Sequence, residues 1–158
     1  MVKSKRRLGA TVLALVGVLL AACVPRPEAL DVTQENMIGR WQIADERMET
    51  ALTFDASGEV TATSWSRNFQ CAVPEGDSLD ALAASTDKLN LSGRWSVIEV
   101  GSGTEVLMIF TSPECEISIV PQVVTMPDRS VVLEIVLAPL VDPDLRRPDQ
   151  TARFVKAL

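Results

Sequence analysis

The chain has 158 residues but contains no histidine, no tyrosine and only three cysteines, Cys23, Cys71 and Cys115. The lack of histidine excludes Ser-His-Asp and Cys-His activation of a nucleophile and histidine ligation of a metal. It also excludes titration near neutral pH by an unshifted side chain. We therefore expect a protein that is not an enzyme and that holds no cofactor and no metal.

The N-terminus has the order of a secretory signal. Four basic residues and no acidic residue come first, and an uncharged apolar run follows from Leu8 and closes on small residues. The last four residues, Leu20-Ala21-Ala22-Cys23, resemble the lipobox that signal peptidase II recognises in bacterial lipoproteins. This resemblance implies cleavage before Cys23 and attachment there of diacylglycerol, with acyl chains such as palmitate. An ordinary secretory signal and an uncleaved signal anchor are the alternatives, although a span usually needs about 20 apolar residues.

The expected product is a lipoprotein anchored on the extracytoplasmic side of the cell membrane, in the bacterial cell envelope. Residues 1–22 contain four of the 15 basic residues and none of the 21 acidic ones, so the mature chain would have a net charge of −10. Such a surface disfavours nucleic acid and anionic lipid headgroups. The lipid anchor itself is therefore the expected membrane contact, and two or more acyl chains make it stable.

Cys71 and Cys115 remain once Cys23 is lipidated. An even number of cysteines in an exported domain predicts a disulfide between them. Their spacing is unlike the C-x-x-C of zinc and redox sites. Two buried free thiols are the alternative.

The chain is expected to have three segments: a signal peptide over 1–22, a lipidated tether over 23–36 and a β-rich globular domain over 37–158. Short apolar stretches broken by turn residues fill most of the domain. They predict an all-β fold, a small antiparallel barrel or sandwich of about seven or eight strands. Besides the signal-peptide helix, one short helix is expected over residues 78–84, with Ser78 as its N-cap.

A short repeat divides the domain: Gly39-Arg40-Trp41 recurs 54 residues later as Gly93-Arg94-Trp95. Alternation along the strand that each copy opens directs both tryptophans to the core and both arginines to solvent. Gly-x-Trp on the first strand with a basic residue on the last resembles the lipocalin-like barrels. That resemblance implies that Trp41 closes the barrel floor and that Arg153 packs over it. The arrangement also resembles uncharacterised Gly-x-Trp lipoproteins of high-GC Gram-positive bacteria, which implies no activity.

The remaining motifs have simpler explanations than chemistry. Residues 85–88 fit the S-x-x-K pattern of penicillin-binding enzymes, but the sequence lacks the S-D-N and K-T-G partners. The aspartates of 142–149 lack the ligand spacing and glycine of a calcium loop, and the acids of 45–49 are expected on a solvated rim. Trp65 and Phe69 are expected in core packing, with a partner surface as the alternative.

Three functional hypotheses from different classes remain. The first is a binding or interaction module of the cell envelope, which engages an envelope protein or a small apolar ligand. The second is a structural or stress-related envelope lipoprotein without a ligand, and the third is an enzyme that uses carboxylates or a Ser/Lys pair. A hollow interior would favour the first, a filled interior the second, and two facing carboxylates in a cleft the third.

Overall fold

The computed structural model describes residues 28–29, 31–69, 71, 78–101 and 103–157. Their elements are, in chain order, β1 (Glu28–Ala29), α1 (Gln34–Met37), β2 (Gly39–Ile43), β3 (Ala51–Phe54), β4 (Glu59–Ser66), α2 (Leu79–Ala84), β5 (Lys88–Val100), β6 (Gly103–Ser112), β7 (Cys115–Ile119), β8 (Gln122–Thr125), β9 (Val131–Val136) and β10 (Thr151–Lys156). The predicted signal peptide and Cys23 lie outside the described residues. Within them, no helix is long and apolar enough to cross a membrane.

The strands form one antiparallel sheet in the order β1-β8-β9-β10-β2-β3-β4-β5-β6-β7. β2 to β7 follow one another as a meander, β8 to β10 form a second one, and β10 pairs with β2. The sheet curls so that β6 and β8, which are close to its opposite edges, approach each other. The predicted all-β fold is therefore confirmed, as a curled, barrel-like sheet. The expected strand number was too low because it lacked the short β1 and β8.

The core lies on the inner face of the curled sheet. Strand alternation places it there: in β10, for example, Ala152 and Phe154 are buried and Arg153 between them is exposed. The largest fully buried side chains belong to one continuous cluster: Trp41, Trp65, Phe54, Phe69, Phe110, Phe154, Met37, Leu52, Leu82, Leu91, Met108 and Leu133. Large apolar side chains therefore fill the space inside the curl.

The described fold begins before residue 37, the expected domain boundary. β1 pairs with β8, and the side chain of Val32 is buried. Thr33 caps α1 by accepting a hydrogen bond from the N–H of Asn36 at 3.3 Å, and Met37 at the end of α1 is fully buried. Residues 31–36, expected above to belong to the tether, thus pack against the domain.

The two ends of the barrel differ in their connections. Residues 55–58 and 126–130 are tight turns at one end, called here the turn end, and α1 also lies there. The opposite end, called here the loop end, holds the longer connections: residues 44–50, the connection between β4 and β5, and residues 137–150. Glu28 pairs beside the turn that follows β8, so the chain joins the barrel at the turn end.

The local prediction of the short helix is confirmed. The side chain of Ser78 accepts a hydrogen bond from the N–H of Ala81 at 3.3 Å and caps α2. Residues 55–58 form the turn between β3 and β4, and Gly58 there has a φ of +84°. The strand expected from Arg94 begins earlier, at Lys88, because the alternation of buried leucines before Arg94 already continues the same strand.

Candidate functional site

Two tryptophans close the turn end of the barrel. Trp41 is 1% exposed, and its indole N–H donates to the carbonyl of Met37 at 2.9 Å. Trp95 is 5% exposed, donates to the carbonyl of Asp55 at 2.9 Å and meets the ring of Phe54 edge-on at 5.3 Å. The predicted burial of both is confirmed. Trp95 lies in the middle of β5, however, and not at the start of a strand.

The cation over Trp41 is Lys156, whose Nζ lies 5.7 Å from the ring centroid. Arg153 instead forms an ion pair with Glu134 on the neighbouring strand, at 2.7 Å. The Trp41–Arg153 contact that the lipocalin resemblance implied is therefore wrong. Strand register pairs Trp41 with Lys156 and not with Arg153. Arg153 precedes buried Phe154 in β10, and because side chains alternate along a strand, it points outward.

A second aromatic pair and the disulfide close the loop end. The rings of Trp65 and Phe69 stack with centroids 4.2 Å apart, and the Trp65 indole donates to the carbonyl of Phe69 at 2.9 Å. Both side chains are buried, so packing and not a partner surface explains them. Cys71 and Cys115 form the predicted disulfide, with Cα atoms 4.8 Å apart, and Cys115 faces the core.

The Ser85–Lys88 pair is held by backbone carbonyls near the end of α2. The hydroxyl of Ser85 donates to the carbonyl of Asp87 at 3.4 Å, and Nζ of Lys88 donates to the carbonyl of Leu82 at 3.0 Å. Partial burial lowers the pKa of Lys88. These bonds give both residues a structural role at the end of a short helix.

The aspartates of the β9–β10 connection serve local structure. Asp142 accepts a hydrogen bond from the N–H of Asp144 at 2.9 Å, and Asp149 pairs with Arg147 at 3.2 Å. Across the described ranges, no three His, Cys, Asp or Glu side chains are grouped so that they could hold a metal ion. The solvated-loop interpretation of this connection therefore agrees with its geometry.

A small depression of about 190 Å³ lies at the loop end, between β2, α2 and the start of β10. Asp45 lies in its wall and binds Arg47 at 2.6 Å, and Arg47 also reaches Asp80 at 2.7 Å. The side-chain hydrogen bond from Arg47 lowers the pKa of Asp45. Glu46 and Glu49 are exposed, and the rim interpretation describes them.

A larger cleft of about 370 Å³ lies in the seam of the barrel, where β6 and β8 separate; we call it the seam cleft. β6 pairs with β5 over most of its length but with β7 only from Met108 onward. After β7, the chain passes Val120 and Pro121 and continues as β8, which pairs with β9. The gap left beside the first half of β6 is the cleft.

The lining of the seam cleft is part acidic and part apolar. Asp31 and Glu105 supply two carboxylates, and the described lining contains no lysine or arginine. Val100 and Val120 at the rim are 46% and 48% exposed, which is unusual for valine in this domain. The cleft thus offers negative charge beside uncovered apolar surface.

Comparison of the chain with protein-family models, with curated proteins and with solved structures gave no match. The seam cleft is therefore interpreted from its own geometry. The sequence did not predict the cleft, because its walls come from segments that are far apart in the chain. The only local signal is Pro121, which interrupts two strand-like stretches and cannot donate to a ladder.

Proposed function

We propose that this chain is exported, cleaved before Cys23 and lipidated there, and that its β domain serves as an interaction module of the cell envelope. The observation that carries the proposal is the open seam cleft, with Val100 and Val120 exposed at its rims. Large side chains occupy the interior of the barrel, Trp41, Trp65 and Phe110 among them. A partner would therefore be met on the outer surface, which favours an envelope protein over a small apolar ligand inside the barrel.

The proposed anchor would hold this surface close to the bilayer. Only residues 24–27 separate Cys23 from Glu28, where pairing with β8 begins. A fully extended chain spans at most about 18 Å between those two residues. The turn end would thus face the membrane and the loop end would face away from it, with the seam cleft on the side of the barrel.

A structural or stress-related envelope lipoprotein without any partner is the second candidate. The filled core favours it, and so does the disulfide that braces the loop end. The two candidates differ in what the outer surface does. The open seam cleft, with exposed Val100 and Val120, supports the interaction module.

The proposal assigns no catalysis to the domain. Ser85 and Lys88 are bound to separate backbone carbonyls, and Asp45 is neutralised by Arg47. Asp31 and Glu105 share the seam cleft, which is a gap between strands with exposed rims.

The anchor is tested in cells that express the parent chain or Cys23→Ser. The parent is expected to incorporate labelled palmitate and to sediment with membranes, and Cys23→Ser is expected to lose both properties. Unchanged labelling and membrane retention in Cys23→Ser would show that the lipobox assignment is wrong.

The interaction is tested by placing a photo-crosslinking amino acid at three exposed positions in the full-length protein. Val120 probes the seam cleft, Leu140, which is 97% exposed, probes the loop end, and Thr61 on the outer face of β4 is the control. A discrete adduct from Val120 or Leu140 but not from Thr61 supports an interaction module. The absence of a discrete adduct from all three positions would favour the structural candidate instead.

A further inference from the structure

The first half of β6 is an open strand edge. Gly103–Leu107 pair with β5 on one side, and no described strand pairs with them on the other. Across the seam cleft, Gln122 and Val123 of β8 pair with β9 alone among the described strands. An unpaired edge carries unsatisfied N–H and C=O groups in a row, and an added strand satisfies them.

The neighbouring N-terminal segment does not pair with this edge as a strand. Both backbone groups of Val32 bind the side chain of Thr104: its N–H donates to Oγ1 at 2.7 Å, and the hydroxyl donates to its carbonyl at 3.0 Å. Farther upstream, the sequence has Pro25 and Pro27, which lack the N–H that a ladder needs. The chain's own N-terminal segment is therefore poorly suited to complete the edge.

The edge also lacks two common protections against strand addition. Lysine and proline commonly blunt an exposed edge, and the sequence of Gly103–Leu107 contains neither. Its one charged side chain is Glu105, and Oδ1 of Asp31 lies 3.7 Å from the position that a Cβ on Gly103 would take. Two carboxylates thus flank an edge that is otherwise free of charge.

These carboxylates decide between possible occupants. A second copy of the chain would bring the same Asp31 and Glu105 to the same edge, and like charges placed opposite each other are repelled. A segment with lysine or arginine would pair with them on the outer face of the sheet, where the side chain of Glu105 lies. Side chains of one strand alternate between the two faces, so the residues between the basic ones would turn inward, toward buried Val106 and Val123, where apolar residues fit.

We infer that the seam cleft accepts one extended segment of an envelope protein, with alternating basic and apolar residues, which adds as a strand to Gly103–Leu107. The inference rests on the proposed function as an interaction module and names its surface and its partner. The added strand would lie along the first half of β6, in the seam cleft.

The test uses the full-length lipidated protein in detergent micelles and a fluorescein-labelled peptide, acetyl-Thr-Lys-Val-Lys-Val-Thr-amide. Fluorescence anisotropy measures its affinity, and hydrogen–deuterium exchange of fragments that span Gly103–Leu107 measures its position. One control peptide carries glutamate in place of both lysines, and another carries proline in place of the first valine. Strand addition predicts binding of the lysine peptide with slowed exchange at Gly103–Leu107, and at least about tenfold weaker binding of both controls.

The protein side is tested with the double variant Asp31→Asn and Glu105→Gln. These positions lie at the surface, so the fold is expected to persist, as a thermal melt checks. The variant is expected to bind the lysine peptide about tenfold more weakly, and Glu59→Gln, an exposed control on β4, is expected to bind it like the parent.

Four results would overturn the inference. Equal affinity for the proline peptide would show that no ladder forms, and equal affinity for the glutamate peptide would show that the carboxylates do not select the partner. Slowed exchange at Gly103–Leu107 that depends on protein concentration, without peptide, would identify a second copy as the occupant. A Leu140 crosslink that persists when the lysine peptide fails to bind would leave the interaction module standing and reject the seam cleft alone.

Discussion

The two ends of the barrel are closed in different ways. At the turn end, the indole of Trp41 donates to the carbonyl of Met37 at the end of α1, and that of Trp95 donates to the carbonyl of Asp55 in the β3–β4 turn. At the loop end, the long connection between Ser66 and Lys88 is held by a disulfide with a sequence separation of 44. Long connections lose more conformational entropy on closure than short ones. The covalent brace thus lies where the chain had much freedom to lose.

The two copies of Gly-Arg-Trp at the turn end differ in why each needs its glycine. Gly39 begins β2 with a φ of +124°, a backbone conformation that residues with a side chain rarely adopt. Gly93 lies inside β5, and a Cβ there would overlap the carbonyl of Ile109 on β6 and lie 3.0 Å from Cα of Phe110. One glycine is required by its own backbone and the other by the close approach of its neighbour.

The largest expected effect comes from the tryptophans of the turn end. Trp41→Ala and Trp95→Ala should each reduce the free energy of unfolding by about 3–5 kcal/mol, because each removes a large buried ring and leaves a cavity. Chemical denaturation checks this. Arg40→Ala and Arg94→Ala, at exposed neighbouring positions, should melt like the parent. A tryptophan variant that melts like its arginine control would remove that residue from the closure of the turn end.

Removal of the loop-end brace should have a similar but more localised effect. The double variant Cys71→Ala and Cys115→Ala should lose about 4 kcal/mol of stability, because the unfolded chain regains the freedom of a long loop. Hydrogen exchange should accelerate in α2 and β7 more than in α1 and β2. A uniform acceleration at both ends would contradict the assignment of the disulfide to the loop end, and the parent treated with reductant provides the matched comparison.

The alanine variants of the two glycines should differ in how much stability they lose. Gly93→Ala should lose about 2–3 kcal/mol, because the new methyl group meets the backbone of β6, which cannot rotate away. Gly39→Ala should lose about 1–2 kcal/mol from backbone strain, since its nearest contact is the flexible end of Lys156. Thermal melts of both variants decide the order. Equal losses would show that one common requirement explains both copies of the repeat.

The smallest expected effect is the dependence of stability on pH. Hydrogen bonds from Arg47 at the loop end and from Ser57 at the turn end lower the pKa values of Asp45 and Asp55. A carboxyl group with a lowered pKa stabilises the fold above its unfolded pKa, and this contribution is lost as pH falls through the folded pKa. The melting temperature should therefore be flat from about pH 5.5 to 8, where the histidine-free chain has little to titrate, and fall below about pH 4.

Replacing the partner of one aspartate sharpens the pH comparison between the ends. Arg47→Gln should reduce the acid sensitivity that comes from the loop end, and Ser57→Ala should reduce the part that comes from the turn end. Melts at pH 3 and pH 6 measure both. A transition near pH 6.5 in the parent chain would contradict this explanation, since the sequence has no histidine.

Several features of the fold could be predicted because they depend on local patterns. Alternation assigned Trp41 and Trp95 to the core, and both are there. The N-cap at Ser78 follows from the chemistry of a few adjacent residues. The seam cleft could not be predicted in this way, because its walls belong to four separate segments whose relative positions depend on sheet register.

The all-β class, the inward tryptophans and a disulfide between Cys71 and Cys115 could be predicted from the amino-acid sequence, because period and composition act within a few residues. The tertiary structure was needed to show that Lys156 and not Arg153 covers Trp41, and that Gly39 and Gly93 are required for different reasons. It alone left an edge of β6 unpaired. The reason is physical: alternation sets the face of a side chain, whereas the register between distant strands sets which side chains meet.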